Sequence, residues 1–121
     1  MSENLASSTP AVPELLARLQ VIARLLRQAD SVDALSRQSL AELVDEMKIN
    51  LETKHLPAAE LTHLGETTVH LEETLRHHQD QGVAGRAREG FERIVGSAEA
   101  KAPFAVGVAR RLLETLANIG I

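Results

Sequence analysis

The sequence predicts an all-α fold, a helical hairpin or bundle of about four to five helices with coiled-coil-like seams. Three observations lead there. Of the 121 residues 44% are hydrophobic but only 2% are aromatic, with no Trp and no Tyr. The core is therefore built from Leu, Val, Ile and Ala, the usual filling of helix-on-helix seams, whereas sheets recruit aromatic side chains. Apolar residues recur at alternating steps of three and four along most of the chain, the period of one helix face. Pro13, Pro57 and Pro103 stand where such stripes begin, as helix N-termini allow.

Residues 1–9 are small, polar and Ser-rich and predict a disordered tail, which leaves 10–121 as a single all-helical domain. The first helix opens at Pro13, because a following proline holds Val12 out of the α region. Its stripe is Leu15, Leu19, Ile22, Leu26 and Ala29, widened by Leu16, Ala23 and Leu25. Asp30, Ser31 and Asp33 then mark a turn, since their side chains compete for backbone donors and cap helices. The second stripe, Leu40, Leu43, Val44, Met47 and Leu51, ends before Pro57. A third helix over 57–79 carries an a/d seam of Leu61, Leu64, Thr68, Leu71 and Leu75, and its narrowness suits a coiled-coil contact. Leu61, Leu64, Leu71 and Leu75 are thus the candidate interaction residues. Gly82 and Gly85 predict a turn at 81–85. The fourth helix, over 86–99, has Phe91, Ile94, Val95 and Ala98 inward and is weakened by Gly90 and Gly96. The last opens at Pro103 with Ala105, Val108, Leu112, Leu116 and Ile119 inward. It closes on Gly120 and Ile121, which fit a left-handed glycine cap with Ile121 folded back onto Leu116.

The absence of cysteine removes disulfides, thiolate nucleophiles and thiolate zinc sites together. No apolar run approaches the roughly 20 residues of a membrane span. The N-terminal stretch has neither the basic nor the apolar region of a secretory signal, so no membrane association and a cytoplasmic location are expected. The net charge of −4 is unevenly placed: residues 57–80 hold five acids against one base, and residues 81–121 hold six bases against four acids. Those halves can attract each other within a chain or between chains. An acidic chain nearly free of aromatics is not expected to bind nucleic acid.

The features that bear on chemistry are few. His63, His70 and His77 recur every seven residues, all at heptad position c, with Glu66, Glu73 and Asp80 at position f. Seven residues span about 10 Å of helix axis, while an imidazole nitrogen must come within about 2 Å of zinc, so the three histidines do not share one ion. The plain reading is a solvated helix face; the sharper one is a pH- or metal-responsive face of His63, His70 and His77. Glu52 with His55, and Glu60 with His63, form two Glu-x-x-His pairs, the best argument for a di-metal carboxylate site. Against it, the first pair runs into a helix end and His63 lies off the apolar seam. No nucleophile elbow, phosphate loop or zinc-protease motif is present. No catalytic, cofactor-binding or metal-ligating residue is assigned, and neither an enzyme nor a cofactor is expected.

The last third of the chain, FERIVGSAEAKAPFAVGVARRLLETLANIGI, resembles the C-terminal signature of short bacterial proteins grouped as the domain of unknown function 4404 family. Phe91, Glu99, Pro103, Leu112, Leu116, Asn118, Gly120 and Ile121 match that pattern. Residues 13–52 are similar, more loosely, to the family's N-terminal helix pair. The chain departs from the pattern at Ala102, where the family tends to have His before the proline, and in its longer histidine-rich third helix. The resemblance implies a small helical fold and carries no activity with it.

Narrow aliphatic stripes gain most by burial against partners. The sequence therefore leads to the expectation of a non-enzymatic structural or protein-interaction module that self-associates as a homodimer, with an unidentified protein partner as a further possibility.

Overall fold

The computed structural model describes residues 9–29, 32–77 and 81–119. These form five helices: α1 Val12–Gln28, α2 Ala34–Thr53, α3 Ala58–Arg76, α4 Gln81–Ala98 and α5 Pro103–Ile119. No strand occurs among the described residues, and the fold is an all-α bundle as the composition predicts. Most of the tail at 1–9, the turn residues Asp30 and Ser31, the end of the expected third helix with His78, Gln79 and Asp80, and the glycine cap at Gly120 and Ile121 lie outside the described residues.

The helix starts follow from local chemistry. Proline lies in the first turn of α1, with Glu14 beside it favouring the positive end of the helix dipole. Asp33 caps α2 by accepting a hydrogen bond from the Ser36 N–H at 3.1 Å. Pro57 occupies the N-cap of α3. The expected turn at 81–85 is helix instead, the first turn of α4. Gly82 and Gly85 are exposed there, each costing about 1 kcal/mol of propensity, and the burial of Ala87, Phe91, Ile94 and Ala98 further along outweighs that cost.

α1, α2, α5 and α3 close a ring around one core, each packed on its two neighbours in that order, and α4 lies along α3 and α5. Among the described residues no backbone approach joins α1 to α5 or α2 to α3. The near ends fix the directions. Pro10 lies against Gly65, and Leu25 and Gln28 share a depression with Leu75 and Arg76, so α1 and α3 run parallel. Glu60, at the start of α3, touches the first turn of α5, so those two are parallel as well. The start of α2 meets the end of α5 around Ser36 and Thr115.

Every residue of the α1 stripe from Leu15 to Ala29 is buried, as are Leu40, Leu43, Val44, Met47 and Leu51 of α2 and Ala105, Val108, Leu112 and Leu116 of α5. The third helix corrects the sequence reading. Its buried face is a broad band, adding Glu60, Gly65, Thr67 and Thr74 to the seam. Three neighbouring helices cover it, which a narrow two-helix seam would not require. Threonine can stand in this band because its hydroxyl is satisfied locally: Thr67 donates to the His63 carbonyl at 2.7 Å and Thr74 to the His70 carbonyl at 2.8 Å.

Candidate functional site

The four candidate interaction leucines all lie in or against the chain's own core. Leu64, Leu71 and Leu75 are buried in it, and Leu61 is half-buried against it. The a/d stripe therefore closes within one chain, on α1, α4 and α5. Their burial is met within one chain, without a second molecule.

The three histidines have three different environments. The His63 Nδ1–H donates to Glu66 Oε1 at 2.8 Å, since an ionised carboxylate can only accept. His70 is half-buried between α3 and α4, its ring edge-on to Phe91 with centroids 5.7 Å apart. A Cβ on Gly90 would stand 2.3 Å from His70 Nε2, so the missing side chain at 90 is what admits the ring. His77 is exposed at the C-cap of α3, its backbone N–H bound to the Glu73 carbonyl. A strict seven-residue repeat drifts around a straight α-helix by about 20° per heptad, and the neighbour on one flank is α4, so residues alike in sequence end in unlike surroundings.

Sequence reasoning missed the role of Glu60. Its carboxylate is buried and accepts two hydrogen bonds from the first turn of α5, from the Phe104 N–H at 3.1 Å and the Ala105 N–H at 2.9 Å. Ala102 is the N-cap of α5, since its carbonyl already accepts from the Val106 N–H, yet its methyl group has nothing to offer the free N–H groups. Glu60 supplies that cap from another helix while standing in the first turn of α3. One carboxylate thus faces two helix N-termini, whose positive ends offset the cost of its burial. The signal was present in the pair Ala102-Pro103: a helix opening with no side-chain acceptor has to find one elsewhere. Glu60 is engaged with α5, and Glu52 and His55 are exposed at the C-terminal end of α2. No group of three metal-binding side chains that could include both Glu-x-x-His pairs occurs among the described residues.

Two arginines of the last helix pair with carboxylates outside the third helix: Arg110 with Glu99 at 2.6 Å and Arg111 with Glu46 of α2 at 2.7 Å. These exposed pairs are worth at most about 1 kcal/mol each.

The surface with an unfilled apolar character lies on α1 and α2. A groove of about 460 Å³ runs between them, with Leu26 and Val44 in its floor, Ala23 and Ala41 on its walls and Arg37 and Asp45 along its edge. The two most exposed large apolar side chains among the described residues, Leu35 at 77% and Ile49 at 54%, are both on α2. No helix among the described residues is long and apolar enough to cross a membrane. No family model, curated protein or solved structure matches the chain.

Proposed function

We propose that the chain is a non-enzymatic helical module, housed in the cytoplasm, that acts through protein contacts and self-associates, and that the outer face of the α1–α2 pair is the contact surface. One observation carries this reading: an open apolar groove floored by Leu26 and Val44 runs between α1 and α2, while the apolar stripes of the helices are buried in the chain's own core. Molar mass as a function of concentration tests it, for the wild-type chain and for Ala41→Glu, which puts a charge on the exposed wall of the groove. The reading expects association that this substitution weakens while helix content stays unchanged. A mass that never rises above that of one chain defeats it.

A second reading, in which His63, His70 and His77 respond to protons or a metal, draws on the half-buried position of His70 against Phe91 and Gly90. A change of charge on that ring acts directly on the α3–α4 contact. Replacing the three histidines with Gln separates the two readings: the contact module keeps its fold and assembly at every pH, and the responsive protein loses its pH or metal dependence.

A further inference from the structure

Charges along α2 are arranged so that a second copy of the same helix complements them. Arg37, Ala41 and Asp45 are spaced by four and so lie one above the other on one side of α2, along the edge of the α1–α2 groove. Arg37 is half-buried, and its Nε is shielded from solvent without a hydrogen-bond partner. Asp45 is exposed. On their own helix the two charges stand about 12 Å apart along the axis, too far to meet each other. Between them Ala41, small and exposed, leaves room for another helix to approach to the roughly 8–10 Å of close packing.

A twofold axis through Ala41 sets each residue opposite the one equally far along on the other side. Arg37 then faces the partner's Asp45, Asp45 faces the partner's Arg37, and Ala41 meets its own copy. Ala34 falls opposite the partner's Lys48, whose methylene stem can cover it while the ammonium stays in water. A register centred one residue further on sets Leu35 against Ile49 but brings Glu42 onto its own copy, and like charges at a crossing point disfavour it.

We propose that two copies of this chain form an isologous dimer in which the α2 helices cross antiparallel at Ala41, with Arg37 of each copy paired to Asp45 of the other. This rests on the self-association proposed above and names its partner and register. The pattern favours a second copy over a foreign helix because the match is reciprocal about one small residue; any other helix would have to satisfy only one side of it.

Charge exchange tests the pairing. Molar mass and dissociation constant are measured for the wild type, Arg37→Asp, Asp45→Arg, the double exchange and an equal mixture of the two single variants, with circular dichroism confirming the same helix content in each. Each single substitution sets like charges opposite each other twice per dimer and weakens association by roughly tenfold to a hundredfold. The double exchange and the mixture both restore opposite charges and recover it. A wild type that stays monomeric overturns this pairing and the self-association together. A wild-type dimer indifferent to the single substitutions, or single variants that fail to recover on mixing, overturns the pairing and leaves self-association standing. A dimer indifferent to Arg37→Asp but tightened by Glu42→Ala moves the axis to Glu42 and overturns it as well.

Discussion

Replacing Glu60 with Ala removes the cap of α5 from outside that helix. Two N–H groups lose their acceptor: that of Ala105, in a buried bond of 2.9 Å, and that of Phe104, in a partly buried one of 3.1 Å. Leaving a buried donor unsatisfied costs about 1–3 kcal/mol, and a donor that water can reach costs less. Taking about 2 kcal/mol for Ala105, about 0.5 for Phe104 and about 0.5 for the lost interaction with the two helix dipoles gives a loss of about 3 kcal/mol. That is a large share of the 5–15 kcal/mol typical of a folded domain. The assay is urea unfolding followed by far-ultraviolet circular dichroism, because a chain without Trp or Tyr has little useful fluorescence. With a slope of about 2 kcal/mol per molar, the midpoint falls by about 1.5 M. Glu60→Gln keeps one acceptor oxygen and loses about half as much. Adding Ala102→Ser to Glu60→Ala returns an acceptor to the N-cap itself and recovers about 1 kcal/mol. A Glu60→Ala variant within about 0.5 kcal/mol of the wild type refutes the capping role.

Gly90→Ala forces the His70 ring aside, because the new Cβ would lie 2.3 Å from Nε2; it destabilises by about 1 kcal/mol, and in a His70→Ala background the same change stabilises by about 0.5–1 kcal/mol through helix propensity, as a double-mutant cycle of unfolding free energies would read. Leu71→Ser unfolds the chain or costs about 3 kcal/mol or more, since the side chain is fully buried in the chain's own core; a variant that stays fully folded and loses only its assembly would contradict the placement of that stripe. The Asp33 carboxyl is held below the ordinary carboxylate value by hydrogen bonds from the Ser36 side chain and then from the Ser36 N–H. Its contribution is therefore present above the unfolded-state value and is lost as pH falls through the lowered folded-state one. Asp33→Ala should flatten the acid limb of the stability-versus-pH curve, measured by urea unfolding.

The parts of the fold legible in the sequence are those set by one helix acting alone. The stripes Leu15–Leu19–Ile22–Leu26 and Leu40–Leu43–Met47–Leu51 report their own burial, and Asp33 and the prolines announce helix starts through local backbone chemistry. What was missed depends on a second helix. Thr67 and Thr74 do not read as core residues until the neighbouring helices are placed over α3, their hydroxyls being satisfied within α3 by carbonyls four residues back. The glycines at 82 and 85 signal a break because propensity is local, while the packing of α4 that overrides it is not. His70 looks like its neighbours in the heptad until Gly90 is placed across from it, and Glu60 looks like a surface acid until α5 is brought to it. The seam leucines specify burial without specifying by what, and that ambiguity separates a dimer interface from a core.

Molar mass in solution, by light scattering with refractive-index detection over a range of concentrations, bears most directly on the proposed role of the α1–α2 surface. Self-association through α2 predicts a rise toward twice the 13.1 kDa of one chain, reversed by Arg37→Asp and restored by the charge exchange. A mass that stays at 13.1 kDa at every concentration would contradict it.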